Sequence, residues 1–118
     1  MHEYIYADRI LQSVLEYMET TGKKQVSIIS IRVGELLGLD SNSLGFAYRV
    51  LSAETIAKGS RLRISITRSS VRCDRCGYEG RLQPSDEPHT IDPVFPCPEC
   101  GAPLRVGKGN EVTITKIR

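Results

Sequence analysis

The four cysteines of this chain occur as two identical knuckles, Cys73-Asp-Arg-Cys76-Gly77 and Cys97-Pro-Glu-Cys100-Gly101, with twenty residues between Cys76 and Cys97. A Cys-x-x-Cys-Gly turn directs backbone N–H groups at the first sulfur while its two thiolates converge. Two such turns supply the tetrahedral sulfur set that Zn2+ prefers. The spacing therefore predicts one zinc site formed by these four side chains.

Other uses of paired cysteines fit this pattern less well. A redox Cys-x-x-Cys motif needs one pair, whereas this chain has two matched pairs. Disulfides are typical of secreted proteins, and Glu3, Asp8 and Arg9 interrupt any apolar segment of a signal peptide. Iron–sulfur clusters also take four cysteines, but the paired knuckles favour zinc. Since four sulfurs leave no position open for water, we expect a structural zinc and not a zinc hydrolase.

Length and charge are those of a small globular protein. The 118 residues suit one domain, or a small domain with a metal-stapled module. The formal charge of +2 falls to about zero once four thiolates and one zinc ion are counted, so we do not expect nucleic-acid binding. No stretch approaches the roughly 20 apolar residues of a membrane span, which indicates a soluble, cytoplasmic protein. Arginines do cluster locally, at Arg61, Arg63, Arg68, Arg72, Arg75 and Arg81.

Hydrophobic spacing predicts two helices. Apolar residues recur at three- and four-residue steps over residues 4–21, and Gly22 is placed to end that helix. The same periodicity covers residues 44–57, and Asp40 or Ser41 is the expected N-cap.

Alternating apolar and polar residues predict strands over residues 26–33, 61–68 and 111–117. The fold class is therefore α+β, with a small three-stranded sheet, two helices on one face, and an inserted zinc-ribbon module that carries all four cysteines. The second and third strands are expected to be antiparallel neighbours, and the direction of the first is left open. The side chains expected to face inward are Ile29, Ile31, Val33, Leu62, Ile64, Ile66, Val112 and Ile114.

The cysteine segment, residues 70–108, is rich in proline and lacks helical periodicity. It reads as a loop-built module that is too small to bury much apolar surface, so zinc must supply most of its folding free energy. We predict a body made of residues 1–69 and 109–118 and a zinc-binding domain made of residues 70–108.

The chain begins Met1-His2-Glu3. The terminal amine, the His2 amide nitrogen and the His2 imidazole can form one fused chelate, which is the planar nitrogen set that Ni(II) and Cu(II) favour. Methionine aminopeptidases generally spare Met before a bulky residue, so the Met1 amine is the expected terminus. The alternative is a start without a metal, in which Glu3 only caps a helix.

These features together resemble the HypA/HybF family of nickel metallochaperones. The resemblance covers nearly the whole chain in unchanged order, and a Met-His-Glu start is rarely combined with a late zinc ribbon. Besides that start and the two knuckles, it is carried by Val33-Gly34-Glu35-Leu36-Leu37-Gly38-Leu39-Asp40, Phe46-Ala47-Tyr48-Arg49-Val50-Leu51 and Thr55-Ile56-Ala57-Lys58-Gly59-Ser60-Arg61-Leu62.

The resemblance implies a non-catalytic protein that helps to load nickel into [NiFe]-hydrogenase. It implies that Met1 and His2 bind nickel, with Glu3 as a ligand or close support. The cofactors would be Ni(II) and Zn(II), with zinc held by Cys73, Cys76, Cys97 and Cys100. The implied partners are a HypB-type GTPase and the hydrogenase large subunit as nickel acceptor. Another nickel enzyme, such as urease, stays open as the acceptor.

Three further polar residues have two interpretations each. Glu35 and Asp40 lie in the matched loop, where they are polar loop residues, with Asp40 as a helix N-cap, or one of them orients the His2 imidazole. His89, eight residues before Cys97, is an exposed loop histidine or a further nickel donor.

A second function stays open beside the nickel hypothesis. A zinc-ribbon adaptor that binds nucleic acid or a protein without nickel would account for the cysteines and the local arginines. It would leave the Met1-His2-Glu3 start and the matched segments unexplained.

Overall fold

A computed structural model describes residues 2–82 and 95–118. Within these residues, two helices, a 3-10 turn at Glu35–Leu37 and six strands follow one another. The helices are α1 (His2–Thr21) and α2 (Ser41–Ser52), and the strands are β1 (Ile28–Gly34), β2 (Arg61–Thr67), β3 (Ser70–Arg72), β4 (Glu79–Gly80), β5 (Arg105–Lys108) and β6 (Val112–Ile117). This mixed α+β architecture with two helices and small sheets confirms the predicted fold class.

The chain divides into two compact units. The first contains Met1–Arg32, Leu39–Ser65 and Val112–Arg118, and the second contains Val33–Gly38 and Ile66–Glu111. The second unit thus includes, besides the cysteine segment, three short pieces that we predicted as parts of the body: Val33–Gly38, residues 66–69 and residues 109–111.

The larger sheet has the order β2-β1-β6, so β1 is the central strand. Arg118 N–H donates to the Ile28 carbonyl at 2.9 Å, and Ser27 N–H donates back to Arg118, which makes β6 antiparallel to β1. Arg61, the first residue of β2, donates its N–H to the carbonyl of Ser27, the residue just before β1, at 3.0 Å. These two neighbouring strands therefore begin at the same end of the sheet and run parallel. The prediction that the second and third strands are neighbours is wrong, because α2 is a crossover long enough to bring β2 alongside β1.

The core of the first unit is mainly aliphatic, and both helices and the central strand contribute buried side chains to it. In β1, Ile29 and Ile31 are buried while Arg32 is exposed, as the alternation predicted. In α2, the fully buried Tyr48 shares a hydrogen bond of 2.7 Å with the Ser60 hydroxyl. Helix α1 packs against α2 and buries Ala7, Ile10, Leu11, Val14 and Met18.

Two details of the predicted elements are wrong. Ile66, which we expected to face inward, is 53% exposed. Alternation predicts which face of a strand a side chain occupies, but it does not predict how much of that face other elements cover. Helix α2 runs over Ser41–Ser52 and stops short of residue 57. The Thr55 hydroxyl donates to the Ser52 carbonyl at 2.8 Å and accepts from Ala57 N–H, so a local turn replaces the helical hydrogen bonds.

The second unit contains a small antiparallel sheet with the order β4-β3-β5. Val71 at its centre is buried and lies opposite both Gly80 and Val106. From the sequence we expected a loop-built segment here, because alternation of apolar and polar residues cannot be recognised in strands of only two to four residues.

A close backbone approach in the second unit requires glycine at position 34. A Cβ atom on Gly34 would lie 2.1 Å from the carbonyl carbon of Gly109. The chain beyond it is held by a bond of 2.8 Å from Leu36 N–H to the Gly109 carbonyl. The tight packing of this pair explains why the loop begins with a residue that has no side chain.

Candidate metal centres

The first knuckle is a turn closed by its own backbone. Cys73 N–H donates to the Tyr78 carbonyl at 2.8 Å, and Gly77 N–H donates to the Cys73 carbonyl at 2.9 Å. Gly77 has φ +79°, the left-handed region that favours glycine. The Cys-x-x-Cys-Gly sequence therefore folds locally into a turn that fixes the direction of its two sulfurs.

The second knuckle repeats these bonds at equivalent positions. Cys97 N–H donates to the Ala102 carbonyl at 2.7 Å, Gly101 N–H donates to the Cys97 carbonyl at 2.8 Å, and Gly101 has φ +78°. Glu99 N–H also points at the Cys97 sulfur, at 3.4 Å. Two copies of one local structure thus present four sulfurs to a common centre.

The four sulfurs have the geometry of a metal cage. All four Sγ atoms lie within 4.8 Å of one another, and the Cys73–Cys100 and Cys76–Cys97 pairs are each 3.6 Å apart. Tetrahedral zinc with Zn–S bonds of about 2.3 Å requires S–S edges of about 3.8 Å, whereas a disulfide is about 2.05 Å long. The residues present therefore fit a tetrahedral thiophilic ion, and the four cysteines are free of disulfides.

The electrostatics of the cage also favour a cation. The backbone N–H of Cys76 is the main reason that the pKa of Cys73 is lowered to about 7. The N–H of Tyr78 acts on Cys76 in the same direction, but desolvation and the three neighbouring sulfurs together raise the pKa of Cys76 to about 12. The Cys76 thiol therefore stays protonated near neutral pH unless a cation compensates the sulfurs around it, as a divalent metal would.

The predicted nickel residues at the start of the chain are described only in part. Met1 and His89 lie outside the described residues. His2 stands in the first turn of α1, and the next residue, Glu3, makes a longer-range contact. Its Oε2 accepts a hydrogen bond of 2.9 Å from Asp40 N–H, within the first unit.

Asp40 is the N-cap of α2, as the sequence predicted. Its Oδ2 accepts from Ser43 N–H at 2.8 Å and from the Ser43 hydroxyl at 2.7 Å. The hydroxyl and then the N–H of Ser43 lower the pKa of Asp40. This carboxylate is therefore engaged in starting α2, while the backbone of the same residue holds Glu3.

Glu35 is buried and ion-paired inside the second unit. Arg81 donates to it through Nε at 2.8 Å and through a terminal nitrogen at 2.6 Å, and Ser69 N–H donates to Oε2 as well. The Arg81 bonds are the main reason that the pKa of Glu35 is lowered to about 2, against the opposing effect of burial. Sequence reasoning missed this pair, since no local pattern joins residues 35 and 81.

Among residues 2–82 and 95–118, the four cysteines are the one group of three or more histidine, cysteine or acidic side chains able to share an ion. Neither helix in that part of the chain has the length and apolarity that crossing a membrane would need.

Comparison with known structures gives the same fold. The chain superposes on the solution structure of the Ni metallochaperone HypA from Helicobacter pylori with a TM-score of 0.67, at 18% identity, over 99% of this chain and 96% of the other. A second solution structure, of a HypA protein, gives a TM-score of 0.65. At these identities the likeness establishes the fold.

Sequence relatives establish the family. The hydrogenase maturation factor HypA of Methanococcus aeolicus is 35% identical over 97% of this chain and 93% of its own length. The factor of the same name from Methanothermobacter thermautotrophicus is 32% identical over the whole of this chain and 96% of its own. The family described as HypA, hydrogenase/urease nickel incorporation metallochaperone, matches residues 1–118. This chain therefore belongs to the HypA family of metallochaperones.

Proposed function

We propose that this protein binds Ni(II) at its N-terminus and helps to deliver it to [NiFe]-hydrogenase during maturation, while a zinc ion in the cysteine cage supports its structure. The observation that carries the proposal is the family match over residues 1–118, in a chain that begins Met1-His2-Glu3. The relatives' name, hydrogenase maturation factor, supports hydrogenase as the acceptor. Urease is the other acceptor that the family description allows.

The nickel ligands would be the Met1 amine, the His2 amide nitrogen and the His2 imidazole. Helix α1 begins at His2, which places the His2 imidazole in its first turn. Glu3 is a ligand or a support, and its bond to Asp40 N–H favours support. His89 stays a candidate for a further nitrogen donor.

A site at a chain end suits capture followed by release, since no closed cage has to open before transfer. Affinity alone would not select nickel, because divalent copper binds such ligands more tightly. Selectivity would come from the planar nitrogen geometry and from the partners, for which we propose a HypB-type GTPase and the hydrogenase large subunit. The protein would act as a carrier and would catalyse no reaction of its own.

The experiment is nickel titration of the untagged, zinc-loaded protein, followed by calorimetry and by the absorption bands of planar Ni(II). His2→Ala, or a short extension before Met1, should weaken nickel binding by at least about a hundredfold, because each removes a nitrogen of the chelate. Zinc content should stay at one ion per chain in both variants.

The matched controls are the same extension placed after Arg118, and His89→Ala. The C-terminal extension should leave nickel binding unchanged. A partial loss in His89→Ala would add that residue to the ligand set. Tight nickel binding that survives both His2→Ala and the extension before Met1 would remove the terminal site.

A further inference from the structure

An apolar groove of about 420 Å3 lies between the start of α1 and the outer side of α2. Its walls include Tyr4, Phe46, Ala47 and Val50. Three of these are large side chains left in water, with Tyr4 55%, Phe46 69% and Val50 54% exposed. Single exposed apolar residues are ordinary on protein surfaces, but several that line one groove mark an interaction site.

A second groove, of about 1060 Å3, lies on the other side of Phe46 and is basic. Arg49, Lys58 and Arg61 line it, and no Asp or Glu of the described part of the chain does. None of these three cations forms an ion pair with any residue among 2–82 and 95–118. Phe46 and Asn42 line both grooves, so the two form one continuous surface within the first unit.

We propose that this surface, which we call the α2 docking surface, binds an acidic amphipathic helix of a partner protein. An amphipathic helix presents an apolar stripe beside a charged one, and here an apolar groove lies beside a basic one. The apolar stripe would cover Tyr4, Phe46 and Val50. The acidic stripe would meet Arg49 and the other two cations, which gives charge complementarity across the contact.

Nucleic acid fits this surface less well. A phosphate chain would leave Phe46 and Val50 uncovered, and the chain as a whole lacks the basic excess that such binders show. A helix with acids on one side uses both grooves at once.

The charges also set the orientation of the bound helix. Glu3 lines the apolar groove, and its negative charge disfavours placing the acidic stripe of the partner helix there. The acidic stripe would instead lie along the basic groove. The apolar side of the partner would then lie against Glu3, at the chain end where we propose that nickel binds. This last consequence rests on the proposed nickel site, whereas the docking itself does not.

The test uses the full-length zinc-loaded protein and a fluorescein-labelled synthetic helix with a leucine stripe beside a glutamate stripe. Fluorescence anisotropy should show saturable binding that weakens with salt. Phe46→Ser and Lys58→Glu should each weaken it by about tenfold or more, and Lys58→Glu should also reduce the salt dependence. The matched controls Ile66→Ser and Lys116→Glu, exposed residues outside both grooves, should bind as the unchanged protein does.

Several outcomes would overturn the proposal. The first is that the helix does not bind. The second is that a helix with lysines in place of the glutamates binds equally tightly. The third is that the control variants lose as much affinity as Phe46→Ser and Lys58→Glu do. Displacement of the helix by a single-stranded oligonucleotide at lower concentration would assign the surface to nucleic acid. A dimer that Phe46→Ser dissociates would assign it to a second copy of this chain. If the protein binds the helix but does not bind nickel, only the proposed function is overturned, and the docking surface stands.

Discussion

The cysteine cage and the start of the chain, where we propose that nickel binds, are built in opposite ways. In the cysteine cage, each pair of ligands sits in a turn closed by its own backbone bonds, and the same bonds occur in both knuckles. At the start of the chain, the Glu3 carboxylate accepts a hydrogen bond from Asp40 N–H, a residue 37 positions away, which ties the first helical turn to the start of α2. Ligands fixed by local backbone bonds suit a site that keeps its ion, whereas ligands at a chain terminus suit the capture and release that we propose for nickel.

The largest expected effect comes from opening the cage. Cys73→Ser together with Cys76→Ser should abolish zinc binding and unfold residues 70–108, because structural zinc contributes on the order of 10–16 kcal/mol in small modules. Helices α1 and α2 should persist, since their buried residues form a core without zinc ligands. Zinc analysis, far-ultraviolet circular dichroism and amide NMR spectra would follow the metal and the two regions separately.

The control for this change is Asp74→Asn, inside the same knuckle. Asp74 makes exposed ion pairs with Arg72 and Arg105, which contribute little to stability. This variant should keep both zinc and fold. Loss of the helical signal in the double cysteine variant would show that the two regions fold as one and that our division of the chain is wrong.

The next largest expected effect is a difference in the pH dependence of nickel binding and zinc binding. Protons compete with nickel for the amine, the amide and the imidazole, so nickel affinity should fall by well over tenfold between pH 7.5 and pH 6. Zinc should stay bound over that range, because four converging sulfurs hold it. Parallel nickel and zinc titrations would measure this, and nickel binding that is unchanged at pH 6 would contradict a nitrogen chelate at the terminus.

The sequence predicts local structure far better than distant contacts. The cysteine turns and the Asp40 cap each depend on residues a few positions apart, so their spacing is visible in the sequence. The Glu35–Arg81 pair and the close approach of Gly34 to Gly109 depend on how separate segments pack, and no local pattern records that. The strand order escaped prediction for the same reason.

A moderate effect should come from the Glu35–Arg81 pair, which acts inside the second unit. Glu35→Gln leaves the Arg81 charge without its partner. Because the Arg81 side chain is 42% exposed and water screens it, we expect the change to destabilise this unit by about 1–2 kcal/mol. Because the pKa of Glu35 is lowered to about 2, its contribution is fully present above about pH 4.5 and is lost only as the pH falls toward 2. The loss in Glu35→Gln should therefore be equal at pH 7 and pH 5.5, as measured by denaturant unfolding of the zinc-loaded protein.

Two variants test whether this pair is specific. Glu79→Gln removes an exposed carboxylate of the same unit and should have little effect. Arg81→Lys keeps the positive charge but cannot form the bidentate pair with Glu35, so it should retain only part of the stability that the pair contributes. If Glu35→Gln and Glu79→Gln unfold alike, the pair does not stabilise the unit.

The smallest effect concerns Asp40, the residue at which the start of α2 meets Glu3. Asp40→Ala removes the cap on Ser43 N–H and should lower the melting temperature by a few degrees, whereas Asp40→Asn keeps an oxygen that can cap and should lower it less. Neither change removes the backbone N–H of residue 40, from which Glu3 accepts a hydrogen bond. Nickel affinity should therefore stay within about twofold of that of the unchanged protein in both variants. A similar loss of nickel affinity in both variants, without matching losses of stability, would mean that the Asp40 carboxylate orients the His2 imidazole. The proposed nickel site would then depend on the Asp40 side chain as well as on the hydrogen bond that Glu3 accepts from the Asp40 backbone.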